Sequence, residues 1–257
     1  MGFSAEWLAL REPADLAARD AALLARAVAA TGPEPVILDL GCGTGSTVRA
    51  LAPHLPGHAR WHLVDNDPHL LRQAAAEAPG QAQLHEQDLA DLDALPLEGV
   101  TLVTASALLD LLPAAWIEGL AARLAAAKLP FYAALSYDGI MAWEPALPKD
   151  DDVTRAFNDH QRSDKGLGPA LGPDAATVAA TIFRAAGFQT QQAISPWRIG
   201  TEGVPLQRAL VDGIATAASQ AGQPMALEWG RTRAGMATDS RCLIGHLDLL
   251  ALPPGAP

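Results

Sequence analysis

Apolar positions along the chain fall into short runs that alternate with amphipathic stretches. Residues 36–40, Val-Ile-Leu-Asp-Leu, are one such run. Others cover 61–64, 83–85, 100–104, 129–135, 188–194 and 243–252, and each predicts a strand. Helical spacing predicts helices over 13–30, 46–51, 68–77, 113–127, 177–186 and 206–221. The first is rich in Ala and Leu, carries Asp15, Arg19, Asp20 and Arg26 along its length, and stops at Thr31-Gly32-Pro33. Pro53 ends the second, and Gly187 closes the helix over 177–186. Strands alternating with helices predict an α/β fold, a doubly wound, mostly parallel sheet with helices on both faces. The near-continuous apolar character of 36–40 suits a strand buried on both sides.

Two stretches break the alternation. Residues 136–176 form a long connection rich in Asp, Pro and Gly, and residues 196–242 insert helical material before the last strand. Both are expected to build a cap on one domain spanning 1–257. Its parts are an N-terminal helical cap (1–32), a core (33–135), a lid insertion (136–176) and a C-terminal part completing the sheet (177–257).

Charge narrows the classes. The net charge of −11 disfavours phosphate backbones and anionic lipid, so neither a nucleic acid nor a membrane is expected as partner. Two cysteines, Cys42 and Cys242, make neither a disulfide framework nor a four-thiolate zinc site. The N-terminus carries Glu6, Arg11, Glu12 and Asp15 where a signal peptide needs apolar residues, and Glu6 replaces the Ser or Thr of a myristoylation signal. The longest apolar stretch, 100–117, is interrupted by Asp110 and Pro113. The expectation is a cytoplasmic protein.

The most informative segment follows the first strand: Asp39-Leu40-Gly41-Cys42-Gly43-Thr44-Gly45. Glycines in a strand-to-helix turn allow positive φ and close approach of a ligand to the backbone. In an open parallel sheet, ligands lie beyond the carboxyl ends of the strands, where this loop falls. The nicotinamide fingerprint G-x-G-x-x-G places its third glycine one residue later, where this chain has Ser46. Asp39, two residues before Gly41, would repel a pyrophosphate and attract a cation. The loop therefore points to a ligand carrying an ammonium or sulfonium. Cys42 reads as a small residue that fits the turn.

Val36 to Gly45 resembles motif I of the class I S-adenosylmethionine-dependent methyltransferases. The resemblance covers 33–135 and the final strand. It implies a Rossmann-like, seven-stranded sheet whose last strand is antiparallel, with S-adenosyl-L-methionine as cofactor and S-adenosyl-L-homocysteine as product. It also implies that Asp65, with Asn66 after it, contacts the ribose hydroxyls, that Asp88 and Leu89 flank the adenine, and that the strand end at Thr104-Ala105-Ser106 lines the methionine end. Arg11, in a segment expected to fold over the cofactor, is the candidate for its carboxylate.

The acceptor side is read from residues with suitable chemistry. Asp110 stands where small-molecule members of the family often have a histidine, and is either a catalytic base or a helix cap before Pro113. His160, Arg162 and Lys165 are three potential cations in the insertion; His160 is a candidate base, and Arg162 and Lys165 are candidate substrate contacts. Tyr137 and Asp138 follow the fifth strand at the same mouth, as catalytic and substrate candidates. Trp143, Trp197 and Trp229 either line an apolar pocket or belong to the core. No metal is expected: His54 and His58 are four apart, but Pro56 and Gly57 break the helix that would align them, and Asp150-Asp151-Asp152 reads as a helix start. The chain is thus expected to be an enzyme that methylates O or N of a small molecule. The alternatives are a non-catalytic S-adenosylmethionine-binding module and a nicotinamide-dependent oxidoreductase.

Overall fold

The computed structural model describes residues 3–255. Eight strands lie in one sheet: β1 (Val36–Leu40), β2 (Arg60–Asp65), β3 (Ala82–Glu86), β4 (Leu102–Ser106), β5 (Phe131–Glu144), β6 (Gln189–Ile194), β7 (Trp197–Ile199) and β8 (Arg241–Leu252). Their order is β3-β2-β1-β4-β5-β8-β6, with the short β7 pairing to β8. β1 to β5 are parallel, and β8 runs antiparallel to β5, β6 and β7. The fold is the expected mostly parallel, Rossmann-like sheet, with one short strand more than the seven expected.

Alternation along the strands sends side chains to two cores. On one face, Leu38, Leu40, Val103, Phe131 and Ala133 pack against α5 (Ala114–Ala127) and α7 (Ala175–Ala185), through residues such as Ile117, Leu120 and Phe183. On the other, Ile37, Trp61, Leu63 and Leu102 meet α2 (Ala21–Ala29), α3 (Ser46–Leu51) and α4 (Pro68–Glu77). A third core lies beyond the carboxyl ends of the strands. It joins the outer half of β5 and β8 to β7, α6 (Asp150–Gln161), α8 (Val204–Gln220) and α9 (Ala226–Gly235), and buries Trp143, Trp197 and Trp229. The three tryptophans are therefore core residues.

Local chemistry moves several expected boundaries. The helix expected over 13–30 is two helices. The first, α1 (Ala5–Ala18), starts at Ser4, whose side chain accepts from the Trp7 amide, and continues through Pro13. Arg19 is then extended, and Asp20 caps α2 by accepting from the Leu23 amide at 2.7 Å. The connection expected at 136–176 begins as strand: β5 runs on to Glu144, because bulges at 133/136 and 137/141 let it bend and stay paired with β8. α6 and a turn held by Asp164, which accepts from the Gly166 and Gly168 amides, complete that segment. Asp248 ties these parts together. Wholly buried on β8, it accepts from the Leu135 amide, the Ser195 hydroxyl, the Tyr132 hydroxyl and the Asp20 amide. Among the described residues, no helix is long and apolar enough to cross a membrane.

Candidate active site

A crevice opens at the carboxyl ends of β1 to β4, with α1 and the turn at 165–167 as its outer walls. Gly41, Cys42 and Gly43 form its floor, with Asp65, Asn66, Asp88 and Leu89 along one side. Gly43 has φ +54°, and a Cβ there would stand 3.2 Å from Leu8 of α1, so the loop and α1 pack closely. The Gly43 amide donates to Asp65 Oδ2 at 2.9 Å, and the Asp67 amide donates to Asp65 Oδ1 at 3.0 Å. Asp67, not Asp65, caps α4, accepting from the amides of His69 and Leu70. Asp65 is thereby held in place with lone pairs to spare on the crevice wall. Asp88 is exposed and accepts from the Ala90 amide, while the Leu89 carbonyl accepts from Trp116 Nε1.

Three of the expected cofactor residues lie behind the lining. Gly45 leads into α3 with φ +88°, its Cα hydrogen position facing Ala74 of α4, so it serves helix packing. Ala105 is buried within β4. Asp39 is wholly buried beneath the loop; its Oδ1 accepts from Thr104 Oγ1 at 2.8 Å and its Oδ2 has no partner among the described residues. Burial pushes its carboxyl up to about 7, against the lowering effect of the Thr104 bond and of the Arg19 charge.

Arg19, in the break between α1 and α2, is a residue the sequence reading passed over. It is buried beside the crevice and donates from Nη2 to Ser106 Oγ at 2.9 Å and Ser46 Oγ at 3.4 Å. Its Nε and Nη1 have no partner among the described residues. Both serines line the crevice. Nothing in the local sequence signals this role, since it depends on the helix break. Asp15 of α1 was also missed; it lies at helical spacing on one face with Leu8 and Arg11 of the segment expected to fold over the cofactor, a pattern that shows once the helix is carried back through Pro13. Ala107, next to Ser106 on the crevice wall, has φ +50°, a strained conformation at the site.

Arg11 lines the crevice, but Asp15 holds it. Its Nε and Nη2 donate to the two Asp15 oxygens at 2.8 and 3.2 Å, and its guanidinium lies 5.2 Å from the centre of the Trp197 ring. Trp197 Nε1 in turn donates to Asp15 Oδ1 at 3.0 Å.

The acceptor-side expectations are largely redistributed. Asp110 is half-buried in the turn after β4, between crevice residues Leu108 and Leu111, with Oδ1 buried and unpartnered. Burial raises its carboxyl to about 6, offset by nearby backbone amides and the Arg11 and Lys165 charges. It does not accept from the amides that start α5, so it is not a cap. Lys165 lines the crevice, yet its ammonium donates to the His160 carbonyl at 3.0 Å and Ser163 Oγ at 3.1 Å, tying the turn to the end of α6. His160 does not line the crevice; its Nε2 bonds Gln220 Oε1 at 3.0 Å between α6 and α8. Arg162 is also elsewhere, paired with Asp174 at 3.0 Å. Tyr137 donates to Asn158 Oδ1 at 2.7 Å within the third core, and burial, with the Asp138 and Asp110 charges, pushes its phenol up. Asp138 accepts from the Ile140 amide, and burial raises its carboxyl. These four side chains do not meet at the crevice: the outer half of β5 carries Tyr137 into the third core and leaves Asp138 partly exposed beside it, and α6 places His160 and Arg162 on its far end. No cluster of three or more metal-ligating side chains occurs among the described residues.

Residues 37–128, about a third of the chain, match the family model described as "Methyltransferase domain". Among solved structures, a cyclopropane-fatty-acyl-phospholipid synthase-like protein from Lactobacillus casei is 12% identical, with 98% of this chain and 95% of that one covered at a TM-score of 0.52. A putative type II methyltransferase from Anaeromyxobacter dehalogenans is 18% identical, with 91% and 97% covered and the same TM-score of 0.52. No curated protein matches the chain in sequence. The fold is that of the class I S-adenosylmethionine-dependent methyltransferases.

Proposed function

We propose that this chain is an S-adenosylmethionine-dependent methyltransferase that methylates an O or N atom of a small molecule. The observation that carries the reading is the charge arrangement around the glycine loop. Asp39, with one oxygen lacking a partner, and Arg19, with two unbonded donors, lie sealed behind the lining beneath one loop, so they act on a bound methionine's amino and carboxyl groups through their charge and not by direct contact. Asp65, fixed by the Gly43 amide, stands one strand away with free lone pairs for a diol. These residues fit the cofactor. Ser46 and Ser106, which line the crevice and are held by Arg19 behind them, would take its carboxylate in place of Arg11, and Asp65 and Asp88 its nucleoside.

When bound, the cofactor supplies an electrophilic methyl group whose bonding pair stays on sulfur as it leaves. The chain's own part is alignment and exclusion of water. Leu8, Leu108, Leu111, Leu112 and Leu167 give the crevice apolar walls. Asp110, in the turn between the lining residues Leu108 and Leu111 but not itself part of the lining, is the candidate to take a proton from the acceptor atom. The net charge of −11 supports a small molecule over a nucleic acid as acceptor.

Two measurements test the reading. Calorimetry should give binding of S-adenosylmethionine and S-adenosylhomocysteine and none of NAD. Incubation with methyl-labelled cofactor and a cell extract should then place label on a metabolite. Binding without transfer to any metabolite would favour a non-catalytic module, and binding of NAD alone an oxidoreductase.

A further inference from the structure

The proposed methyltransferase reading leaves open what kind of acceptor fits, and the charges along the crevice bear on this. Asp65, Asp67 and Asp88 line it at the ends of β2 and β3. Its two lining cations, Arg11 and Lys165, come from the opposite walls, α1 and the turn after α6. Asp15, which also lines the crevice, offsets the Arg11 charge at that end, so what sets it apart from the acidic end is the presence of cationic donors and not a net positive charge.

Arg11 is built to present one edge. Asp15 takes its Nε and Nη2, the Trp197 ring lies against its plane, and Trp197 also fixes Asp15. Nη1 meets no acceptor among the described residues, and it is absent from the side-chain atoms that are both unpartnered and sealed from solvent. A guanidinium so held has lost its side-chain freedom in advance, and its remaining N–H groups point where the protein offers them no partner. Lys165, by contrast, spends its donors on the end of α6 and adds charge without a free hand. The nearest imidazole adds no charge: burial, and next to it the Arg11 charge, lower His246 to about 3, and its Nδ1 donates to the Ile244 carbonyl.

We propose that Arg11 Nη1 anchors an oxyanion of the methyl acceptor, so that the substrate is a small molecule bearing a carboxylate or a comparable acidic oxygen and not a cationic amine. The inference rests on the methyltransferase reading, and its test separates the two.

The probes are benzoate, benzyl alcohol and benzylamine, of one shape and three charges, added to the protein saturated with S-adenosylhomocysteine and followed by ligand-observed NMR. Benzoate should bind about tenfold more tightly than benzylamine, with benzyl alcohol between. Arg11→Met should remove that preference while changing the affinity for S-adenosylhomocysteine by less than about threefold. Arg11→Lys, which keeps the charge but not the fork, should recover part of it. Benzylamine binding as well as benzoate, or no benzoate binding, in the wild-type protein overturns the proposal without recourse to any variant. So does an Arg11→Met protein that is folded by circular dichroism and loses S-adenosylhomocysteine but keeps 5′-methylthioadenosine, which lacks the amino-acid end: Arg11 would then serve the cofactor. If S-adenosylhomocysteine does not bind the wild-type protein at all, the methyltransferase reading fails first and takes this proposal with it.

Discussion

The Gly43 amide donates to Asp65 Oδ2 at 2.9 Å, tying the loop after β1 to the end of β2. One carboxylate thus orders the glycine loop and faces the crevice at the same time. Asp65→Ala should lower affinity for S-adenosylhomocysteine by about 10- to 100-fold, since it removes both the tether and a hydrogen-bond acceptor from a polar ligand. Isothermal calorimetry measures this, and an unchanged affinity would remove Asp65 from the binding site.

Arg19 gives a sharper contrast. Arg19→Met should weaken S-adenosylhomocysteine by about tenfold or more and leave 5′-methylthioadenosine within about twofold, because only the first carries a carboxylate. Equal losses for both ligands would mean that Arg19 supports the fold and not the carboxylate.

Asp39 makes both binding and stability depend on pH. Its folded-state value, about 7, lies above the ordinary carboxylate value of 3.8 because of burial. The unfolded chain releases this proton first, so Asp39 favours the unfolded state increasingly as pH rises from about 4 to 7. Between those limits the melting temperature of the free protein should fall relative to that of Asp39→Asn. A bound cation favours the ionised form, so affinity for S-adenosylmethionine should rise from pH 6 to pH 8 in the wild-type protein and flatten in Asp39→Asn.

Gly45→Ala tests the close approach of α3 and α4. A Cβ at φ +88° would stand 3.0 Å from Ala74 Cα, a backbone atom that cannot swing aside. The combined strain and overlap should cost about 2–3 kcal/mol in urea unfolding. A loss under about 0.5 kcal/mol would show that the helices part easily.

The third core rests on a buried ion pair. Arg233, fully buried, donates from Nε to Asp150 Oδ1 at 3.0 Å and from Nη2 to Oδ2, while Trp229 Nε1 donates to Oδ1 at 2.8 Å. Burial alone would raise the Asp150 carboxyl, but these bonds and the Leu147 amide outweigh it and hold it below its ordinary value. Stability from this pair is present above the unfolded-state value of 3.8 and is lost as pH falls through the lower folded value. Arg233→Met, which strands the carboxylate, should cost about 3–5 kcal/mol at neutral pH. A neutral result in chemical denaturation would show that water replaces the guanidinium there.

Residues close in sequence were legible, and those joined by folding were not. Asp39 to Gly45 announces its turn because glycine and carboxylate chemistry act within a few residues, and Asp67 announces itself as the cap of α4 by standing just before Pro68. Asp248 gave no such signal: inside an apolar run it reads as one polar interruption, yet it gathers donors from α2, β5 and Ser195. His160 and Arg162 looked like site residues because they are dense in polar chemistry, but α6 turns them toward Gln220 and Asp174.

The sequence by itself determined the parallel sheet, the place of the glycine loop and the carboxylates at the ends of β1 to β3. The first two follow from periodicity and from a turn that needs glycine, both local constraints on the backbone, and the roles of the carboxylates follow from the resemblance of that turn to motif I. The tertiary structure decided which charges are free. Arg11 is clamped by Asp15 and Trp197, Lys165 is spent on the end of α6, and Arg19 reaches Ser46 and Ser106 across a helix break. Hydrogen-bond partners far apart in the chain meet only after the cores pack, so a side chain's availability for a ligand is a property of the folded molecule.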